Sequence, residues 1–214
     1  MASSKTVIVN LALSHLGSGK EIADLDTEQS DEASAMRRFY DEARDKALRD
    51  FNWPFATKIA SLALVETNPN DEWTYSYRYP TDCLNIRRIL SGVRTDNRQT
   101  RASYKVAKDS AGRIIFTDID IAKVEYTERV ETVEIYPPDF VMALSYLMAM
   151  YTAPRVTGGD PFGLGKKSSE LYLQELSNAR SNAFNEEQVD QPAESELYRA
   201  RDGIFDPTRR RGDW

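Results

Sequence analysis

The sequence predicts an α+β fold: an antiparallel four-helix bundle with an inserted antiparallel β-sheet lobe and an extended C-terminal tail. Three observations predict it. Apolar residues recur at three-and-four spacing in the segments before residue 55 and after residue 136. Between them the pattern alternates, residue by residue, as strands do. Residues 189–214 have too few apolar positions to build a core. Two pairs of helices close as one antiparallel bundle only if the strands are inserted between them. The domains expected are therefore 1–55 with 136–188 as a discontinuous helical bundle, 56–135 as the inserted β lobe, and 189–214 as a tail that docks on a partner.

Each element has a local reason. Ser3 or Ser4 caps a first helix whose apolar positions are Val7, Ile8, Leu11, Ala12 and Leu16, and Gly17 with Gly19 ends it. An acidic loop follows, Glu21 to Asp26. Ser30 caps the second helix, with Asp31 and Glu32 in the first turn where the helix dipole favours anions. Met36, Phe39, Tyr40, Ala43, Ala47 and Phe51 form its buried stripe. Arg37, Arg38, Asp41, Glu42, Asp45, Lys46 and Arg49 form its opposite face, and Pro54 closes it.

From about Thr57 the period becomes two. Tyr75, Tyr77 and Tyr79 alternate with Thr74, Ser76 and Arg78, and strands follow from Leu84 to Leu90 and through Tyr104 to Ala107. A hairpin at Asp109–Gly112 leads into Arg113 to Thr117, and Ala122, Val124 and Tyr126 mark another strand, so that the short strands imply an antiparallel sheet or a small sandwich. Pro137-Pro138-Asp139 restarts helix, proline being tolerated in the first turn. The run from Phe140 to Tyr151 is apolar nearly all round, as a central helix should be. Pro154 and Gly158-Gly159 are expected to break it. A fourth helix is expected from about Leu164 to Glu186, buried along Leu164, Ser168, Leu171, Tyr172, Leu176, Ala179 and Ala183.

Composition excludes several function classes. With a net charge of -6, the chain lacks the basic excess that tight phosphate-backbone binding needs. It has one cysteine, Cys83, and one histidine, His15, so neither an intrachain disulfide nor a Cys/His zinc site can form. No metal or other cofactor is expected. No secretory signal is visible at the start. The apolar run from Phe140 to Ala153 is shorter than the roughly 20 residues of a membrane span, so no membrane partner is expected.

The motifs that invite chemistry each have a plainer explanation. His15 could serve as a base, but no nucleophile or orienting carboxylate accompanies it, and a packing histidine near a helix C-terminus explains it. Asp24 with Asp26, Glu21 with Asp26, and Asp118 with Asp120 are carboxylate pairs that a hydrolase could use. Acidic turns explain them equally. The Gly158–Lys167 segment fails the phosphate-loop spacing and follows a helix, so it is a helix–helix connection. Trp53, Phe55, Trp73, Tyr75, Tyr77 and Tyr79 could stack a base or sugar, but packing of the sheet on the helices explains their alternation.

Read in order, several segments carry a family resemblance. They are Asn10-Leu11-Ala12-Leu13 with Leu16-Gly17, then Ala35-Met36-Arg37-Arg38-Phe39-Tyr40, then Asn52-Trp53-Pro54-Phe55-Ala56. Tyr77-Arg78-Tyr79-Pro80-Thr81-Asp82-Cys83-Leu84 and Pro138-Asp139-Phe140-Val141-Met142-Ala143-Leu144 complete the series. Over residues 4 to 188 the chain resembles the head-to-tail adaptor (tail tubular, portal-adaptor ring) proteins of tailed bacteriophages. The resemblance implies a non-enzymatic virion protein at the head–tail junction, assembled in the host cytoplasm. It implies a homo-oligomeric ring, dodecameric, below the portal protein, with helices around the DNA channel. Such a ring would carry a downstream tail or nozzle protein and pass genomic DNA during ejection without sequence-specific binding.

Candidate residues follow from that reading. The ring interface would use Arg37, Arg38, Asp41, Glu42, Asp45 and Arg49. The portal-docking tail would use Tyr198, Arg199, Ile204, Phe205, Arg209, Arg210, Arg211 and Trp214, with aromatic anchors and arginines that meet carboxylates. The competing expectation is a tail-associated cell-wall hydrolase built on a carboxylate pair. A third is a DNA-binding module using the Arg209-Arg210-Arg211 run.

Overall fold

Serine caps set the first two helices. A computed structural model describes residues 4–92 and 101–186. Helix α1 spans Lys5–His15, and the Ser4 hydroxyl accepts the Val7 N–H at 3.2 Å. Gly17 takes a left-handed φ of 71° just past its end, where a side chain would be strained. Asn10 then pins the acidic loop: its amide donates to the Ile22 carbonyl and its oxygen accepts the Ile22 N–H, both at 2.9 Å. Helix α2 spans Asp31–Asp50, and the Ser30 hydroxyl accepts the Ala33 N–H at 3.3 Å. Past its end the Trp53 indole donates to the Ala47 carbonyl at 2.8 Å, folding the chain back onto the helix.

Seven strands follow: β1 (Thr57–Ser61), β2 (Leu64–Asn70), β3 (Trp73–Arg78), β4 (Cys83–Leu90), β5 (Tyr104–Asp109), β6 (Gly112–Thr117) and β7 (Lys123–Glu128). They make two antiparallel sheets. The first runs β1-β7-β4 and the second β2-β3-β6-β5. Register is set by short turns, with Lys108 opposite Arg113 and Asp109 opposite Gly112 in the β5–β6 hairpin. Tyr77, Cys83, Ile86, Ile89, Ile115, Val124 and Tyr126 are the buried apolar centre of these strands. Alternation is imperfect in β3, because Ser76 is buried beside Tyr77 and bonds the Glu66 carbonyl of its neighbour strand.

Helix α3 spans Pro138–Val156 and helix α4 spans Leu164–Glu186. Phe140, Leu144, Leu147 and Met148 of α3 are fully buried, and α1, α2, Trp53 and Tyr136 share their core. Phe140 meets Trp53, Phe55 and Tyr136 edge-on, at centroid distances of 5.1, 5.1 and 4.7 Å. Such pairs add to the burial energy of the rings. Among the described residues no helix is long and apolar enough to cross a membrane.

The expected four-helix bundle with one inserted sheet is not the arrangement found. The fold is α+β with four helices and two antiparallel sheets, and the sheets dominate its centre. Helices α1 and α2 each pack along α3, but α4 runs along none of the others as a bundle member would. The composition of α4 explains this. Tyr172, Leu176 and Ala179 reach the core, whereas Leu164, Leu171 and Ala183 are only half-buried and Leu173 is 62% exposed. A bundle helix needs a wider apolar stripe.

Pro154 does not break α3, which continues to Val156. The missing N–H falls one turn from the helix end, where little of the ladder is lost. The described residues up to 183 form one compact unit, and beyond it only the α4 backbone to Glu186 is described.

Candidate functional site

Helix α2 positions a heavily charged surface. Its inner face is anchored by Met36, Tyr40, Ala43, Ala47 and Leu48. Phe39 and Phe51, expected in the buried stripe, are only half-buried. Arg44 joins the inner face, with only 5% exposure. Its Nε and Nη2 donate to the same Asp45 oxygen at 3.1 and 2.9 Å, and Nη1 donates to Asp41 at 2.9 Å. Glu131 lies 4.0 Å away on the segment after β7. Burial works against this charge, but the Asp45 hydrogen bonds and the nearby carboxylates outweigh it and hold the guanidinium pKa above its ordinary value.

The six residues expected to form an interface divide into two groups. Arg37 is turned back, its Nη1 donating to the Leu25 and Asp26 carbonyls at 2.8 and 2.9 Å. Asp41 and Asp45 serve Arg44, and Asp45 also accepts Arg129 at 2.8 Å. Arg38, Glu42 and Arg49 are exposed and have no ion-pair partner among the described residues. The helix face therefore offers three free charges, while the other three residues hold the helix in place.

The C-terminal half of α2 borders a cleft of about 690 Å³, closed on the other side by the turn into β4, the start of β6 and Arg129. Glu42, Asp45, Lys46, Arg49 and Asp50 line it from the helix, and Thr81, Cys83, Leu84, Arg113 and Arg129 from the strands. Lys46 pairs with Asp50 at 2.6 Å, and the Tyr172 hydroxyl donates to Asp50 at 2.8 Å. Burial, then that bond to a carboxylate, raises the Tyr172 pKa well above the usual phenol range. Arg113 lies over the Tyr79 ring, 3.8 Å from its centroid. The Cys83 thiol donates to the Tyr79 hydroxyl at 3.2 Å, and burial pushes its pKa up, so it is not an activated thiolate.

At the far side of the first sheet Lys58 bridges Asp82 and Glu128 at 2.6 Å each, and Tyr126 donates to Asp82 at 3.0 Å. The paired carboxylates hold the lysine pKa above its ordinary value. This cluster pins β1 to β7 and to the turn before β4.

Most motifs that could carry chemistry resolve into structural contacts, whereas the Glu21 and Asp26 side chains have no hydrogen-bond or ion-pair partner among the described residues. His15 Nε2 lies 3.1 Å from the Ser145 hydroxyl, which itself donates to the Met142 carbonyl at 2.8 Å. With the serine proton committed to that carbonyl, the tautomer protonated at Nε2 completes the pair. Its ring stacks on Tyr146 at 4.2 Å. Asp24 accepts Asp26 N–H and the Thr27 hydroxyl within its own turn. Asp118 accepts the Thr74 N–H and hydroxyl, and Asp120 accepts the Ile121 N–H. The Gly158–Lys167 segment links α3 to α4, with Asp160 accepting the Leu164 and Gly165 N–H groups at 2.7 and 3.0 Å. Among the described residues no group of three His, Cys, Asp or Glu side chains could hold a metal ion.

The aromatic cluster separates into two. Trp53 and Phe55 belong to the core around Phe140, Tyr75, Tyr77 and Tyr79 to that of the strands, and Trp73, in β3, to neither. Tyr198, Arg199, Ile204, Phe205, Arg209, Arg210, Arg211 and Trp214 lie outside the described residues. Sequence reasoning missed Arg44 and Arg113. The signal for Arg44 was its place among Tyr40, Ala43, Ala47 and Leu48, which put it on the inner stripe. No family model matches the chain, and no curated protein matches it.

Proposed function

We propose that this chain is a structural head-to-tail adaptor of a tailed bacteriophage, forming a ring below the portal that extends the DNA channel and holds the tail components. The observation that carries the reading is the α2 surface. It presents unpaired Arg38, Glu42 and Arg49 on a helix fixed from behind by the Arg44 network and the Phe140 core. A rigid face of unsatisfied mixed charge suits contact between identical subunits, which repeat one heterologous contact until the ring closes. The ordered series of motifs from Asn10 to Leu144 supports the same reading by resemblance. The net charge of -6 suits a channel that repels DNA rather than gripping it.

Residues 189–214 would reach the portal, with Tyr198, Ile204, Phe205 and Trp214 as anchors. Electron microscopy of the purified chain mixed with its portal tests the assembly: twelve-subunit rings seated on the portal are expected. Portals that remain bare at saturating chain would refute the reading. Deleting 189–214 should weaken portal binding, and unchanged affinity would remove the tail from the account.

A further inference from the structure

Helix α2 carries surplus charge of opposite sign at its two ends. In the loop ahead of it and at its first residue, Glu21, Asp26 and Asp31 are exposed and make no ion pair among the described residues, although Lys20 stands close enough to feel Asp31. Their neighbours differ: Asp24 and Glu28 accept hydrogen bonds inside the loop, and Glu32 pairs with Lys20. The loop itself is held firmly, by Asn10 at Ile22 and by Arg37 at Leu25 and Asp26. Three exposed carboxylates outside any ion pair thus stand on a fixed support.

At the other end of α2, the cleft has the opposite surplus. Asp45 is matched by Arg44 and Arg129, and Asp50 by Lys46. Arg49 and Arg113 remain, both exposed and without a carboxylate among the described residues, against Glu42 alone. The Tyr79 ring under Arg113 fixes the plane of that guanidinium, which lowers the ordering cost of binding.

The 20 residues of α2 place these two surfaces about 30 Å apart, so they cannot meet within one copy. We propose that they meet between copies: the loop carrying Glu21, Asp26 and Asp31 of one subunit docks in the Arg49–Arg113 cleft of the next. The contact is heterologous, since the two surfaces differ. It therefore repeats around a ring when the rotation closes. This proposal rests on the ring-forming reading and specifies the contact that would build it. Arginine suits the cleft because its planar fork takes a carboxylate by two parallel hydrogen bonds.

Charge reversal tests it in full-length protein. One variant carries Arg49→Glu with Arg113→Glu, a second carries Glu21→Lys, Asp26→Lys and Asp31→Lys, and a third combines all five. Sedimentation velocity follows self-association over a concentration series, with circular dichroism to verify folding. Each partial variant should associate about tenfold or more weakly than the parent. An equimolar mixture of the two should associate again, because each cleft then faces a loop of opposite charge. The combined variant should associate alone, which a misfolded chain would not do. Association of the parent should weaken as salt is raised. Partial variants that associate like the parent, or a mixture and combined variant that both stay monomeric, overturn this contact and leave the ring reading standing. A parent chain that stays monomeric at every concentration, and still leaves portals bare, overturns both.

Discussion

Replacing Asp45 by asparagine should destabilise the protein far more than removing the arginine it serves. Arg44 is a buried charge, its side chain 6% exposed, and Asp45, at 23%, is the least exposed of its partners. Removing one partner of a buried ion pair costs about 3–5 kcal/mol, because the remaining charge is left without compensation in a poorly solvated site. Asp41 survives in Asp45→Asn and keeps one contact at 2.9 Å, but its side chain is 74% exposed and solvent screens it. The expected loss is therefore about 2–3 kcal/mol. For a chain of this size that lowers the melting temperature by about 4–12 °C. Arg44→Met removes the buried charge and fills the same space with an apolar chain, so its cost should stay within about 1 kcal/mol. Asp45 then keeps Arg129. Urea denaturation of the two variants beside the parent measures both. If Arg44→Met loses as much as Asp45→Asn, the cost lies in the lost cross-link rather than in an unpaired charge, and the reasoning fails.

Three further outcomes follow from the geometry. Burial holds the His15 pKa below its usual value of 6.5, so the unfolded chain takes up the proton first as pH falls. Stability should drop below about pH 6.5 and level off once the folded imidazole also titrates; urea midpoints should show this in the parent and not in His15→Gln. At Gly165 an added Cβ would stand 3.0 Å from the Asp160 carboxylate and 3.2 Å from the Ala153 Cβ, so Gly165→Ala should cost about 1–3 kcal/mol in thermal denaturation. Ile121 is 76% exposed with a left-handed φ of 50°, a costly backbone for a β-branched residue. Ile121→Asn should stabilise the protein by about 1 kcal/mol, and a lower melting temperature would show that the side chain contributes something the strain argument omits.

Helix α2 was legible because cap, acidic first turn and apolar stripe all agree, and its observed start follows Ser30 directly. The β4 to β7 strands were legible from alternation and from the Asp109–Gly112 hairpin. Alternation left one sheet or a small sandwich open, and the pairing of the strands was not legible. Alternation says which face of a strand is buried, but nothing in it says that β1 pairs with β7 across some 70 residues while β3 pairs with β6. The bundle expectation failed for a similar reason. Tyr172, Leu176 and Ala179 supply a helical period, but the period does not reveal that Leu173 points into solvent and that the stripe is too narrow for a bundle. Of the charged surface, residue types were readable and pairings were not. Arg37 and Arg38 are neighbours in sequence, yet one is tied to two carbonyls and the other stands free.

The protein contains a single sulfhydryl, Cys83, 3% exposed at the floor of the α2 cleft. That makes it a chemical clock with one hand. A chromophoric thiol reagent has a single target, and it can react only when β4 lifts from Tyr79 or when the cleft is open enough to admit it. Without adding a label or a new cysteine, the modification rate counts how often this wall of the cleft opens, and a subunit seated there would slow the count.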